Sequence, residues 1–155
     1  MYKLELKRHV NAPPHVAWEV ISDHTFFGEA APNLHSVEVL KGDSLGMQRR
    51  CTGADGVSWT EECVLWREGE VYAFEVDASA PGYPLARMRG TFGLKQHPSG
   101  VLISVRFDYL PRFNPPLLGW LMDKALKRAA LPTVRTLMDR WEAEIVRRVQ
   151  QRHAA

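Results

Sequence analysis

The sequence has few of the features that would assign it to a specialised class of protein. It contains only two cysteines among 155 residues, Cys51 and Cys63, and neither lies in a CxxC motif, so a disulfide scaffold or a zinc ribbon receives no support. It has no run of about eighteen apolar residues, and its N-terminus alternates apolar and charged residues instead of forming a signal-peptide core. We therefore predict one cytoplasmic domain spanning residues 1–155.

Motifs that carry chemistry are also scarce. The six histidines show no i, i+4 pairing, and no glycine-rich phosphate loop or Ser–His–Asp arrangement is identifiable. Twenty Lys and Arg residues against eighteen Asp and Glu residues leave a net charge of +2, too small to indicate nucleic-acid binding. The sequence accordingly predicts no metal, no cofactor and no nucleic-acid partner, and it identifies no catalytic residue.

The N-terminal third predicts one strand followed by two short helices. Residues 1–10 alternate apolar and polar side chains with the period of a half-buried strand, and Arg8 is the one exception. Pro13-Pro14 is suited to the first turn of a helix, because proline lacks the N–H that would be unpaired there. One face of this helix would carry Ala17, Trp18, Val20 and Ile21. A second short helix or an irregular crossover should occupy residues 23–32.

The rest of the chain predicts six strands and one long helix. From Leu34 to Tyr109, turn signals recur about every twelve residues between β-branched and aromatic runs, which is typical of an antiparallel meander. The predicted turns are Gly42-Asp43, Asp55-Gly56, Glu68-Gly69, Pro81-Gly82 and His97 to Gly100. Asn114-Pro115-Pro116 then predicts the cap and first turn of a helix that continues to about residue 150 and is kinked at Pro132.

Hairpin registers predict which side chains face inward. A turn at His97 to Gly100 pairs Phe92 with Val105 and Met88 with Tyr109, which places the apolar residues of both strands on one face.

A two-residue turn at Asp55-Gly56 sets Arg50 opposite Glu61 and Arg49 opposite Glu62, so an Arg–Glu pair faces inward on either parity. A two-residue turn at Glu68-Gly69 pairs Leu65 with Tyr72, Cys63 with Phe74 and Glu61 with Val76, which carries Glu61 inward. The inward parity of residues 58–66 nevertheless stays open, since a three-residue turn at residues 67–69 would exchange Glu61 for Glu62. The same pairing separates the two cysteines and argues against a disulfide.

Two sequence motifs resemble those of a known superfamily. The first spans residues 12–23, Ala-Pro-Pro-His-Val-Ala-Trp-Glu-Val-Ile-Ser-Asp, and the second is the late strand pair 90–94 and 101–105 directly before the long helix. Over essentially the whole chain, the sequence resembles the START-like helix-grip superfamily, also called SRPBCC or polyketide cyclase/dehydrase and lipid-transport proteins. The resemblance implies an α+β helix-grip fold, in which a seven-stranded curved antiparallel sheet surrounds a long C-terminal helix and two short helices follow the first strand.

The resemblance also implies a cavity for an apolar ligand between the sheet and the helix. The inward strand positions that would line it are Trp59, Tyr72, Phe74, Phe92, Phe107 and Tyr109. A helical stripe at i, i+3, i+4 and i+7 would complete the wall with Leu118, Leu121, Met122 and Ala125. Either the Arg50–Glu61 pair or the hydroxyls of Tyr72, Tyr83 and Tyr109 would orient the ligand. In this fold His24 and His35 could lie near the mouth of the cavity as polar gates.

These observations favour a single START-like domain that binds a small hydrophobic or aromatic ligand, such as a lipid, a quinone or a polyketide-like compound. Two alternatives remain open: a cyclase, aromatase or dehydratase that uses the same cavity, and a regulatory or interaction module with a filled core. Ligand identity, catalysis and oligomeric state are not determined by the sequence.

The basic residues are concentrated in the C-terminal segment. Residues 113–155 carry eight basic and four acidic side chains, whereas residues 1–112 carry twelve basic and fourteen acidic ones. This segment predicts either a solvated helix face or a transient contact with an anionic membrane.

Overall fold

The computed structural model describes residues 1–154, which form one antiparallel sheet and three helices. The strands are β1 (Tyr2–Val10), β2 (Leu34–Lys41), β3 (Gln48–Gly53), β4 (Ser58–Arg67), β5 (Val71–Val76), β6 (Leu85–His97) and β7 (Gly100–Pro111). The helices are α1 (Pro14–Ile21), α2 (His24–Ala30) and α3 (Gly119–Ala154). Within this part of the chain the strand order is β1-β7-β6-β5-β4-β3-β2. The predicted α+β helix-grip architecture is therefore confirmed.

The two short helices follow from local sequence signals. Pro14 occupies the start of α1, as predicted, and the predicted face of that helix is buried. Asp23 caps α2, because its side chain accepts a hydrogen bond of 3.0 Å from the backbone N–H of Phe26. Residues 24–30 are thus helical, which decides between the two structures predicted for residues 23–32.

The β6–β7 hairpin has the predicted register. Phe92 pairs with Val105 and Met88 pairs with Tyr109. At the start of β7, Gly100 has a φ of 135°, and a Cβ there would lie 2.1 Å from the backbone oxygen of Val10. Only glycine permits β7 to approach the end of β1 this closely.

The predicted register of the β3–β4 hairpin is wrong by one residue. Arg49, not Arg50, lies opposite Glu61. The turn has three residues instead of two, because the backbone N–H of Gly53 donates to Val57 at 2.8 Å and Gly56 adopts a positive φ of 85°. The additional turn residue shifts every β3–β4 pair by one position relative to the prediction.

The β4–β5 pairing settles the parity that the sequence left open. Glu61 pairs with Val76 and Cys63 pairs with Phe74, as predicted, so Glu61 points inward and the exposed Glu62 points outward. Beyond Cys63 the strand contains a bulge, and for this reason Leu65 pairs with Ala73 instead of Tyr72. Both cysteines are free, as predicted.

Helix α3 begins later than predicted. It starts at Gly119, because residues 115–118 form a turn in which the N–H of Leu118 donates to the carbonyl of Pro115 at 3.1 Å. The predicted cap at Asn114 is therefore wrong, and its side-chain oxygen instead accepts a 2.8 Å hydrogen bond from the hydroxyl of Tyr2. The helix continues through Pro132, and its buried face contains Val134, Leu137, Met138, Trp141 and Ile145. No helix within residues 1–154 is long and apolar enough to cross a bilayer.

Candidate functional site

A cavity of about 540 Å³ lies between the inner face of the sheet and α3. Its volume is in the range of small-molecule binding sites. Apolar residues from both layers form most of the wall: Leu4, Phe27, Leu34, Val76, Met88 and Phe107 on one side, and Leu126, Ala130, Val134 and Leu137 on α3. The polar residues of the wall are few, and only Glu61 and Asp55 among them are acidic.

Glu61 is the acidic residue in the wall that is paired with a buried cation. The Nε atom of Arg49 donates to its Oε2 at 2.8 Å, and the Nη2 atom of Arg49 lies 2.8 Å from the same oxygen as an ion pair. The indole Nε1 of Trp59 donates to its Oε1 at 2.9 Å. The side chain of Glu61 is 11% exposed, whereas that of Arg49 is 2% exposed and does not line the cavity. The pair therefore directs its negative end toward the cavity.

Arg49 is held in place on every side. Its guanidinium lies 3.8 Å from the ring centre of Phe74 and 4.8 Å from that of Phe27, which are favourable cation–π distances. Its Nη1 lies 3.0 Å from Nδ1 of His24. A buried charge is tolerated only when it is paired and hydrogen-bonded, and Arg49 meets both conditions.

His24 is kept neutral by this environment. Burial, and then the positive charge of Arg49, lower the pKa of His24 from 6.5 to about 4. Because Nδ1 faces a cationic donor, it must act as the acceptor, and the remaining proton lies on Nε2. Within residues 1–154 that Nε2 atom is buried and has no hydrogen-bond partner.

Tyr83 also lines the cavity, beside Trp59 and near Glu61. Its ring lies 5.3 Å from that of Trp59, and burial, followed by the nearby charge of Glu61, raises the pKa of Tyr83 above its ordinary range. Arg112 fixes the preceding loop, since its guanidinium donates to the backbone oxygens of Ala78 and Tyr83. The hydroxyl therefore remains protonated and can donate or accept a hydrogen bond.

The strand residues predicted for the site fall into two groups. Trp59, Glu61, Phe107 and Tyr109 line the cavity. Tyr109 also connects β7 to α3, because its hydroxyl donates to Asp123 at 2.6 Å. By contrast, Tyr72, Phe74 and Phe92 are packed in the core behind the wall, each at most 2% exposed. The hydroxyl of Tyr72 donates to the carbonyl of Ile21 there.

Five other predicted positions lie away from the cavity. Arg50 is on the outer face of the sheet, where its half-exposed side chain is 3.5 Å from Glu38. The predicted stripe of Leu118, Leu121, Met122 and Ala125 is also misplaced, since three of these residues are exposed and none lines the cavity. The stripe that faces the cavity lies further along the helix, because α3 begins at Gly119 and passes over the sheet only after its first turns.

Sequence reasoning missed several residues of the site. Arg49 would have been found if the β3–β4 turn had been given three residues. The helical spacing of Leu126, Ala130, Thr133 and Leu137 is visible in the sequence, although nothing in it shows which part of a long helix covers a cavity. Of two polar groups that the sequence did suggest, Tyr83 lines the cavity, whereas His24 lies beside Arg49 and is not among the lining residues. No cluster of three metal-ligating side chains occurs within residues 1–154.

The start of α3 forms an exposed apolar surface, defined here as the apolar patch. Its members are Phe113, Leu117, Leu118, Trp120 and Leu121, between 51% and 87% exposed. The Nζ atom of Lys124 lies 5.0 Å from the ring of Trp120. Several basic residues further along the helix are paired within the protein: Arg147 and Arg148 with Glu144, and Arg152 with Glu19.

Comparisons with known proteins agree with this architecture. The family model described as "Polyketide cyclase / dehydrase and lipid transport" matches residues 1–146. The structure is similar to that of the Zhui aromatase/cyclase from Streptomyces sp. R1128, with 19% identity, a TM-score of 0.77 and coverage of 96% of this chain and 95% of the other.

Two further solved structures share the fold. The protein TTHA0849 from Thermus thermophilus has 20% identity and a TM-score of 0.73, with coverage of 94% of this chain and 97% of the other. The di-domain ARO/CYC StfQ from the steffimycin biosynthetic pathway has 14% identity and a TM-score of 0.75, with coverage of 96% of this chain and 51% of StfQ. At these identities the similarity establishes the fold alone. A search of curated proteins finds no match to the sequence.

Proposed function

The chain belongs to the polyketide cyclase/dehydrase and lipid transport family, and from this premise we propose that it binds a small, largely apolar molecule in the cavity beneath α3. The observation that supports the proposal is the cavity itself, about 540 Å³ in volume with a mostly apolar wall. Burial of each ligand CH₂ group contributes about 0.8 kcal/mol, so this wall supplies affinity for an apolar skeleton. An open cavity argues against the alternative of an interaction module with a filled core.

Two polar groups would fix the orientation of such a ligand. Glu61 accepts one hydrogen bond at each of its oxygens, from Arg49 at Oε2 and from Trp59 at Oε1, and a carboxylate offers about four lone-pair positions. The hydroxyl of Tyr83 provides a second contact. Apolar walls with a few fixed polar groups are usual in ligand sites, where the wall gives affinity and the polar groups give specificity.

Native mass spectrometry of the purified protein tests the proposal directly. We expect a co-purifying small molecule, or a one-to-one complex after incubation with a neutral naphthalene derivative. Displacement of a fluorescent apolar dye provides a second measurement. Absence of binding in both experiments, with a protein that unfolds cooperatively, would contradict the proposal.

A catalytic role is the second candidate, favoured by the inward-facing Glu61. An aromatase or cyclase folds a reactive chain in its cavity, and a positioned carboxylate can accept a proton from that chain. Arg49 would act only through Glu61, as a positioning residue, because it does not line the cavity. The likeness to the Zhui aromatase/cyclase motivates the test.

Replacement of the carboxylate separates catalysis from binding. Glu61→Gln keeps the size and the acceptor oxygen of the side chain but removes its capacity to take a proton. In an enzyme that uses this group, turnover should be abolished while affinity for a neutral ligand changes by roughly a few-fold. If neither the natural protein nor the variant consumes any substrate and Glu61→Gln changes only the affinity for ligand, the result supports the binding function alone.

We also propose that the apolar patch contacts an anionic membrane transiently. Exposed Trp and Leu side chains next to cationic residues are typical of surfaces that insert into the lipid headgroup region. Trp120 and Leu117 are 60% and 87% exposed, and Lys124 lies beside the indole of Trp120. A basic residue near such a surface contributes about 1 kcal/mol toward binding of anionic lipid.

A further inference from the structure

The ionisable side chains that line the cavity all have the same sign. Glu61 and Asp55 are acidic, and no Lys, Arg or His is among the lining residues within the described chain. Asp55 lies at the rim, where its carboxylate accepts a hydrogen bond of 3.0 Å from the backbone N–H of Val57. The cavity therefore presents carboxylate oxygens to a ligand and no fixed positive charge.

The cation that balances Glu61 is not accessible to a ligand. Arg49 donates to Glu61 and faces Nδ1 of His24, and its flat guanidinium is covered by the ring of Phe74 at 3.8 Å. The whole residue is 1% exposed. A ligand in the cavity thus meets the carboxylate first, with the compensating charge behind it.

From this geometry we infer the polar chemistry of the ligand: it carries an uncharged O–H or N–H donor on its apolar skeleton and no negative charge. The inference rests on the proposed binding function and specifies the kind of ligand bound at that site. The donor occupies an acceptor position of Glu61 that Arg49 and Trp59 leave open, and the hydroxyl of Tyr83, which also lines the cavity, can serve a ligand carbonyl.

The same geometry disfavours fatty acids and other carboxylates. An anionic head group in the cavity would lose its hydration, would find no cation among the lining residues and would approach Glu61 against charge repulsion in a site of low dielectric constant. If such a ligand instead turned its head group toward solvent, only its apolar part would lie in the cavity, and the open acceptor position of Glu61 would have no donor.

Four naphthalene probes of nearly equal size test the inference at pH 7. They are 2-naphthol, 2-naphthylamine, 2-methoxynaphthalene and 2-naphthoate, measured by calorimetry or dye displacement with the full chain. We expect the naphthol or the amine to bind about tenfold more tightly than the methoxy compound, which lacks a donor, and the naphthoate to bind most weakly. The order of naphthol and amine shows whether the preferred donor is O–H or N–H.

The outcomes separate the inference from the function on which it rests. Naphthoate binding as tightly as naphthol would overturn the inference and leave the binding function intact. Failure of all four probes to bind would contradict the binding function itself. A methoxy compound that binds as well as naphthol would also overturn the inference, because it would show that a donor adds nothing.

A pair of variants tests whether Glu61 is the discriminating group. In Glu61→Gln the negative charge is lost and Arg49 is no longer neutralised, so the ratio of naphthol to naphthoate affinity should fall by at least about tenfold. Glu62→Gln is the matched control, because that carboxylate lies on the outer face of the same strand and the ratio should be unchanged. If Glu61→Gln does not fold, the ranking of probes by the natural protein still decides the inference.

Discussion

Arg49 and Glu61 lie directly opposite each other on β3 and β4, and two nitrogens of the guanidinium, Nε and Nη2, each lie 2.8 Å from a single carboxylate oxygen. The pair sits between the aromatic core and the cavity, with the cation on the core side. It links the stability of the fold to the chemistry of the site, because the group that would orient a ligand is held by a buried charge.

Loss of one partner of this pair should destabilise the protein strongly. Arg49→Met leaves Glu61 without its cation and His24 without its neighbour, and we expect the free energy of unfolding to fall by roughly 3–5 kcal/mol. Arg50→Met on the outer face should cost less than about 1 kcal/mol. Urea denaturation measures both. In the double variant Arg49→Met/Glu61→Leu the loss should be smaller than for the two single changes together, and simple additivity would contradict a coupled pair.

Protein stability should fall as the solution is acidified from about pH 6.5 toward pH 4. The pKa of His24 is lowered from 6.5 to about 4 in the folded protein. Between these two pKa values His24 is protonated in the unfolded chain and neutral in the folded chain, so acidification favours unfolding. This histidine alone should make unfolding at pH 5 easier by about 2 kcal/mol relative to pH 7.

The variant His24→Phe isolates this effect from the titration of carboxylates. The change in unfolding free energy between pH 7 and pH 5 should be about 2 kcal/mol smaller in this variant than in the natural protein, and His35→Gln, at an exposed position, should retain the full change. Equal pH dependence of His24→Phe and the natural protein would show that His24 is not held neutral.

Filling the cavity should abolish ligand binding with little loss of stability. Ala130 lines the cavity on α3, whereas the neighbouring Ala129 is exposed. Ala130→Phe occupies space that the ligand needs, and we expect at least about tenfold weaker binding of 2-naphthol. Ala129→Phe should bind normally. An unchanged affinity of Ala130→Phe in dye displacement would place the ligand elsewhere.

Removal of apolar side chains from the patch should reduce membrane binding. The variant Leu117→Ser/Trp120→Ser removes two exposed side chains of this patch. Cosedimentation with phosphatidylcholine vesicles containing about 30% phosphatidylserine should decrease at least about fivefold, while naphthol affinity stays the same. Val39→Ser, an exposed residue on β2, is the control. No sedimentation of the natural protein with these vesicles would contradict the membrane contact.

The antiparallel core of the fold could be predicted from the sequence because its signals are local. Alternating side chains identify β1, and the β6–β7 register follows from a turn whose residues are unambiguous. Even the exception in β1 has a structural reason, since Arg8 lies on the inward parity and reaches Glu142 of α3 at 3.1 Å. The α1 helix likewise follows from two adjacent prolines and one apolar face.

The polar site could be predicted only in part, because its registers depend on turn lengths. One additional residue in the β3–β4 turn transfers the inward role from Arg50 to Arg49, and the sequence Ala-Asp-Gly is compatible with both turn lengths. Side chains of a strand alternate between its two faces, so an error of one residue in the register assigns every side chain of the strand to the wrong face. The inward direction of Glu61, which the sequence left open, follows from its pairing with Val76, and that pairing keeps the predicted register because the bulge in β4 lies beyond Cys63.

The amino-acid sequence by itself determined the element types, their order and the need for an inward Arg–Glu pair, because periodicity and turn chemistry act over a few residues. The tertiary structure decided which arginine forms the pair, which stretch of α3 covers the cavity, and that His24 and Tyr83, from separate elements, each lie near the Arg49–Glu61 pair. Those contacts join residues from separate elements. Their geometry depends on how the sheet and the helix pack together, which no local pattern specifies.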